Sequence, residues 1–319
     1  MTELFPAFLN DLLHEPEAAA LIGTEADLKA MLAFEVALGE AAAAHGFIPA
    51  AHAASLAGKA AAFLPDIASL QHATLKDGVV IPDYVRQLRE HVGGEAAKSV
   101  HFGATSQDVI DTALALKLKD IFYLFEARLT GIAALLEGLI ESFGSAEIPG
   151  RTRMQSAIPI TAGDRIRVWL AGVNQALETL EGVRNQNLIL SLAGAAGTAE
   201  KYGPKIGNVR ATLAQSLGLT VPGYVPHAAR GRIADLGGWL SRVTGALGKI
   251  GQDVALMAQN ELGEIGLSGG GGSSAMPHKQ NPVRAEVLVS LARFNATQVA
   301  ALHQSPADAV ILISNEVGQ

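Results

Sequence analysis

Leu114, Leu118, Ile121, Phe125, Leu129, Ile132, Leu136, Leu139 and Phe143 follow one another at steps of three or four residues. That spacing lines one face of an α-helix and no face of a β-strand. It predicts a helix from about Ser106 to Phe143, roughly 55 Å long at 1.5 Å per residue. A second is expected from about Ala162 to Leu190, with Thr161 as cap and Asp164 behind it. In a third, from about Ile233 to Leu262, the residues Ile233, Leu236, Leu240, Val243, Leu247, Ile250, Val254 and Met257 alternate threes and fours. An average period of about 3.5 predicts left-handed, near-parallel packing against neighbouring helices. A fourth begins at Val283 and lasts to about His303, where Pro306 stops it. The expected fold class is therefore all-α, an elongated bundle of long helices. No strand-like alternation competes, and the apolar stretch Gly78–Ile81 is expected to form a small hairpin at most.

Shorter elements precede the bundle. Met1–Ile22 reads as small helices and turns. Thr24, with Asp27 three residues on, is expected to cap a helix ending at His45-Gly46, and Ile48-Pro49 prevents its resumption. Ala50–Phe63 and Pro82–His91 read as helices, the latter ending at Gly93-Gly94, and another falls around Lys205–Leu217. The reading divides the chain into a small helical domain over 1–100, a long central helical domain over 101–304 and a short, atypical tail over 305–319.

Hydrophobic residues make up 49% of the chain and charged ones 17%. That leaves little polar material to coat a lone monomer, so burial between subunits is expected. A net charge of −7 and 5% aromatic residues offer no basic stripe or stacking platform for nucleic acid. The absence of cysteine excludes disulfides and thiolate metal sites and fits a reducing cytoplasm. No amino-terminal signal pattern stands out and no apolar run is long enough to span a bilayer, so a soluble, cytoplasmic protein is expected. No His/Asp/Glu spacing suggests a metal and no glycine fingerprint follows a strand, so no cofactor is expected.

The chemistry concentrates in three stretches, each just ahead of a long helix. In the third, Gly269–Gly272 are followed by Ser273, Ser274, Ala275, Met276, Pro277, His278, Lys279, Gln280, Asn281 and Pro282. Four glycines can take backbone angles closed to other residues. Asn281-Pro282 reads as an N-cap with proline at the first helical position. The helix start would aim free N–H groups at an anion beside Lys279. A Gly/Ser linker is the plainer reading, but a spacer has no use for the tail Met276–Pro282. A lid for acid–base work on a carboxylate substrate fits better. In His101-Phe102-Gly103-Ala104-Thr105-Ser106-Gln107-Asp108, Thr105 or Ser106 can cap the first long helix, with Asp108 in its first turn. That stretch is either a cap beside a histidine or an anion pocket with His101 able to move a proton near neutral pH. Gly150-Arg151-Thr152-Arg153-Met154-Gln155 is either a solvated surface loop or a pair of guanidinium forks for a carboxylate.

In order, these stretches resemble the three signatures of the fumarase/aspartase superfamily, and the resemblance runs from about residue 20 to about residue 300. Gly272–Pro282 resembles its signature loop. Thr105, Ser106, Gln107 and Asp108 match the first signature, and Gly150, Arg151, Thr152 and Gln155 match the second. Arg153 departs, because most lyases of the superfamily carry a histidine there. The resemblance implies that a base removes a proton alpha to a carboxylate, an aci-carboxylate forms, and a group leaves the beta carbon. Amine or hydroxide leaving groups need a general acid, which arginine cannot be at pH 7. A carboxylate leaving group, with a pKa of about 4, needs none. The departure, with the Leu28–Pro49 and Gly150–Ile160 stretches, points to the 3-carboxy-cis,cis-muconate cycloisomerase branch and to aromatic-acid (protocatechuate, β-ketoadipate) degradation.

By that resemblance Ser273 exchanges the alpha proton, His101 is a second proton-transfer candidate, and Lys279 and Asn281 hold the carboxylate that becomes the aci-anion. Thr105, Ser106, Arg151, Arg153, Gln155, Ser274, Met276 and His278 are the expected contacts to a small tricarboxylate. His227 lines the site or merely caps a helix. The superfamily implies a homotetramer with sites shared between subunits. Two alternatives stand: adenylosuccinate lyase or another fumarate-releasing lyase, and a catalytically silent structural bundle. Members usually continue into more helices after the third signature, so 305–319 reads as a shortened tail or an incomplete chain.

Overall fold

A computed structural model of the chain describes residues 7–268, 271, 272, 276, 279–304 and 306. Its helices are α1 (Asn10–Leu13), α2 (Pro16–Ile22), α3 (Thr24–Ala44), α4 (Ala50–Ala60), α5 (Ile67–Asp77), α6 (Ile81–Val92), α7 (Ser106–Phe143), α8 (Ala162–Asn187), α9 (Ile206–Leu217), α10 (Gly231–Met257) and α11 (Val283–Leu302). One antiparallel pair, β1 (Glu147–Thr152) and β2 (Gln155–Thr161), lies between α7 and α8. The fold is all-α with this single hairpin among the described residues, as the long periodic stripes require. The chain folds into two compact units. The first comprises the described residues up to Leu124 together with Arg184–Arg230, and the second comprises Phe125–Val183 and the described residues of Gly231–Pro306.

In the first unit, α3, α4, α6, α9 and the beginning of α7 bury Phe34, Leu38, Tyr84, Leu88, Val109 and Leu213 in one apolar core. Each such side chain contributes about 1.5–3 kcal/mol through area removed from water. Sequence periodicity gives no sign of α5. Its helix is set by Asp66, whose carboxylate accepts from the N–H groups of Ala68 and Ser69 at 2.9 and 3.2 Å, and is ended by Gly78 at φ 73°. Only Leu70 of α5 is buried, so no full apolar stripe marks it. The small hairpin allowed at Gly78–Ile81 does not form, because Gly78 closes α5 and Ile81 opens α6. Gly23, rather than Thr24, occupies the N-cap of α3.

In the second unit the cap predicted for α8 is present in both directions. The Thr161 N–H donates to Asp164 Oδ2 at 2.9 Å, and the Asp164 N–H donates to Thr161 Oγ1 at 3.1 Å. The hairpin is an addition to the expected fold. Its two turn residues, Arg153 and Met154, both have positive φ, 48° and 65°. Two-residue hairpin turns of this form favour Asn-Gly, so Arg-Met carries no turn signal, and the backbone there is strained. The register pairs Glu147 with Thr161 and Thr152 with Gln155, and it shifts between Pro149 and Arg151. The helix start after the third signature also differs from expectation. Pro282 is the N-cap of α11, and Asn281 instead bridges to Gly271 through two backbone hydrogen bonds of 3.0 and 2.8 Å.

Helices α10 and α11 approach through glycines. A Cβ on Gly248 would lie 2.5 Å from Ala292 Cβ, and one on Gly251 would lie 2.6 Å from the Ala285 carbonyl oxygen. Leu240, Val243, Leu247 and Ile250 of the long stripe are all only partly buried within the single chain. Alanine at position 251 would gain about 1 kcal/mol of helix propensity, yet it forces backbone apart, which typically costs about 1–3 kcal/mol. Gly251→Ala is expected to lower the urea midpoint, and a raised midpoint would show that the helices can separate without penalty.

Candidate active site

The first signature lies in the first unit, as a clamped loop running into α7. Arg89 donates to the Val100 carbonyl at 3.1 Å, and the Tyr202 hydroxyl donates to the Phe102 carbonyl at 2.5 Å. Gly103, at φ 69°, has no room for a Cβ, which would sit 2.5 Å from Tyr202 Cε2. Between these anchors His101 takes φ 64°, a conformation uncommon outside glycine, and places Nδ1 2.6 Å from Glu35 Oε1 on α3. Burial, with Asp108 and Glu35 adding to it, pushes the Tyr202 phenol well above its ordinary value.

Thr105 and Ser106 stand at the entrance to α7, and the Thr105 N–H donates to Asp108 Oδ2 at 3.0 Å. Asp108 is fully buried and does far more than occupy a first helical turn. Its carboxylate also accepts from the N–H of Ala193 at 2.7 Å, the N–H of Gly194 at 3.0 Å and the Ser191 hydroxyl at 3.2 Å, and it lies 2.7 Å from His227 Nε2. Burial alone would raise this carboxyl. The hydrogen bond and charge of His227 and the backbone donors outweigh that and hold it below the usual carboxylate range. His227 is buried, with Nε2 against Asp108. One helical turn on, Asp111 accepts from Gln107 at 2.8 Å and Arg230 at 2.7 Å.

The second signature lies in the second unit, on the hairpin. Arg151 donates to Glu264 Oε1 at 2.6 Å, and Arg165 donates to Oε2 of the same nearly buried carboxylate at 3.0 Å. Arg153, at the turn, is exposed and has no ion-pair partner among the described residues. Gln155 is exposed on β2. Arg151, Arg153 and Arg165 line a cavity of about 540 Å³, which Lys249, Asp253 and Glu264 also line. Lys249 is held by Asp253 at 2.5 Å, and Trp169 donates to the same carboxylate at 2.8 Å. Among the described residues, Arg153 is thus the cation of this cavity not already committed to a carboxylate.

Ser273, Ser274 and His278 of the third signature lie outside the described residues. Of the rest, Met276 is partly exposed, and its carbonyl accepts from the Lys279 N–H at 3.0 Å. The Lys279 side chain is exposed. The Asn281 side chain donates to the Gly272 carbonyl at 3.4 Å, tying the end of the loop to its beginning.

A family model described as Lyase matches residues 15–299. The chain belongs to that family. A 3-carboxy-cis,cis-muconate cycloisomerase of Pseudomonas aeruginosa is 36% identical over 279 residues, covering 86% of this chain and 61% of that protein. An adenylosuccinate lyase of Methanocaldococcus jannaschii is 33% identical over 287 residues, covering 87% of this chain and 61% of the relative. The crystal structure of the 3-carboxy-cis,cis-muconate lactonizing enzyme from Pseudomonas putida superposes with a TM-score of 0.88 at 31% identity, over 97% of this chain and 73% of that one. The chain therefore spans about three-fifths of the length of these two curated relatives.

Two carboxylates of this Lyase-family chain carry no place in any of the three signatures. Glu264 has no motif signal at all. Glu35 has one: it falls on the line Leu28, Met31, Glu35, Leu38, where the apolar face of α3 should continue. A charge on a buried stripe is costly unless paired. Among the described residues no helix is long and apolar enough to cross a membrane.

Proposed function

We propose that the chain acts as a 3-carboxy-cis,cis-muconate cycloisomerase, closing its substrate to 4-carboxymuconolactone in aromatic-acid degradation. The observation that carries the reading is Arg153, a guanidinium with no ion-pair partner among the described residues, on a cavity lined by three arginines, a lysine and three carboxylates, where most related lyases use a histidine. A fixed cation suits a substrate with three carboxylates and a reaction whose leaving group, in reverse, is itself a carboxylate. Forwards, a carboxylate oxygen of the substrate bonds to the beta carbon of a conjugated acid. The displaced electron pair enters that acid's carboxylate as an aci-anion, and a proton then adds to the alpha carbon. The substrate's own skeleton is rearranged without loss of any atom.

In this scheme Ser273 exchanges the alpha proton, Lys279 and Asn281 stabilise the aci-anion, and His101 is a second proton-transfer group. Thr105, Ser106, Arg153 and Gln155 orient the remaining carboxylates, joined by Ser274, Met276 and His278. Arg151, already paired with Glu264, contributes by shaping the hairpin. A cytoplasmic homotetramer with sites shared between subunits completes the reading, and the partly exposed α10 stripe supports it.

The purified chain should consume 3-carboxy-cis,cis-muconate with loss of the diene absorbance and yield the lactone. A second reading, a fumarate-releasing lyase, is favoured by the 33% identity to an adenylosuccinate lyase. Fumarate release from adenylosuccinate, with no change in the muconate absorbance, would replace the first reading with the second.

A further inference from the structure

We infer that Glu35 is the positioning residue for His101: its carboxylate holds the imidazole with the proton on Nδ1, so that Nε2 is the nitrogen that exchanges protons with the substrate. The inference rests on the functional reading above and adds to it a residue that no motif contains. Nδ1 and Oε1 are 2.6 Å apart across 66 residues of sequence. With Oε1 as the acceptor of this short contact, the shared proton belongs to Nδ1. Nε2 has no hydrogen-bond partner among the described residues, and the His101 side chain retains 14% of its exposure.

Three separate costs meet at this contact. Glu35 is wholly inaccessible to solvent, on the apolar face of α3. Its second oxygen, Oε2, is buried with no hydrogen-bond partner among the described residues. His101 meets it from a positive φ, between the Val100 and Phe102 carbonyls anchored by Arg89 and Tyr202. A leucine would fill the position more cheaply if stability were all that mattered, because a buried, half-satisfied carboxylate is seldom the stable choice. Strain and burial held in place by surrounding structure are what a preorganised proton-transfer group requires. Tyr84, whose phenol is raised by burial and by the Glu35 charge, and Tyr202 stay protonated beside the pair.

The test uses the full chain and two readouts. Side-chain ¹⁵N spectra at the alkaline end of a titration, where imidazole is neutral, should show His101 protonated on Nδ1. In Glu35→Leu, a change of similar volume whose folding is checked by helical circular dichroism, the tautomer should shift to Nε2–H. Carboxymuconate kcat should fall about 10- to 100-fold with KM changed less than about threefold. Glu35→Gln, which can still accept from Nδ1–H, should recover much of the loss. A wild-type His101 protonated on Nε2, a tautomer indifferent to Glu35→Leu, or an unchanged kcat would overturn the inference. A chain inactive on every substrate would sink the functional reading instead, and the spectra would then decide the Glu35–His101 pairing alone.

Discussion

Replacing Ser273 with alanine is expected to lower carboxymuconate turnover about a thousandfold, within the range by which positioned acid–base groups contribute. The residue is the first of the Ser273-Ser274 pair behind the glycines, the position to which the resemblance to the superfamily's signature loop gives the proton transfer. A serine hydroxyl is a very weak acid, so the alkoxide needs nearby donors and cations. Lys279 and the start of α11 at Val283 are the groups the sequence supplies for it. Thr105, Ser106 and Arg153 remain in the variant, so KM should change far less than kcat. Helical circular dichroism should match the wild type, because the change removes one hydroxyl oxygen and introduces a residue of better helix propensity. A Ser273→Ala enzyme turning over within tenfold of wild type would remove the residue from the chemistry and move the proton transfer to His101.

The largest expected effect on stability is at His227. Changing it to leucine removes the 2.7 Å Nε2 contact from the fully buried Asp108 carboxylate and leaves only the Thr105, Ala193 and Gly194 N–H groups and the Ser191 hydroxyl as donors. Breaking a buried pair from one side costs about 3–5 kcal/mol, a large share of the roughly 5–15 kcal/mol that stabilises a typical domain. The urea midpoint should fall accordingly, and the first unit should lose its protection against amide exchange around Ala193 and Gly194, whose N–H groups point at Asp108. The pH dependence has a definite sign. The folded-state value of Asp108 is depressed, so its contribution is complete above the ordinary carboxylate value of about 4 and is lost as pH falls through the lower folded value. Asp108→Asn should therefore flatten the acid limb of the stability curve. An unaltered midpoint in His227→Leu would mean that the backbone donors alone hold the carboxylate.

How far the molecule can be read from its sequence varies from element to element. The expected span of α7, Ser106–Phe143, coincides with the helix, because its stripe is long and its start is marked by hydroxyls and Asp108. The cap at Thr161 and Asp164 is equally visible, since both partners lie within four residues. The ends of α8 and α10 fall short of Leu190 and Leu262: after Asn187 apolar residues continue but the backbone turns away, and after Met257 the polar run Gln259-Asn260-Glu261 follows. The hairpin is hidden by an Arg-Met turn of uncommon chemistry, and α5 by its single buried leucine. Both elements hold their shape through backbone geometry and caps, which a periodic reading does not weigh.

For the candidate site, the stretches that carry chemistry are legible in the sequence, whereas their partners are not. Spacing within a few residues determined by itself the all-α class, the long helices and the three loops that hold His101, Arg153 and Lys279. Only the tertiary structure decided that His101 answers to Glu35 66 residues away, Arg151 to Glu264 113 residues away, and Asp108 to His227 119 residues away. Helical periodicity is enforced by bonds between neighbours on the chain, so it is written locally. A buried carboxylate finds its cation or donor wherever packing brings one within about 3 Å, and that distance is a property of the assembled core.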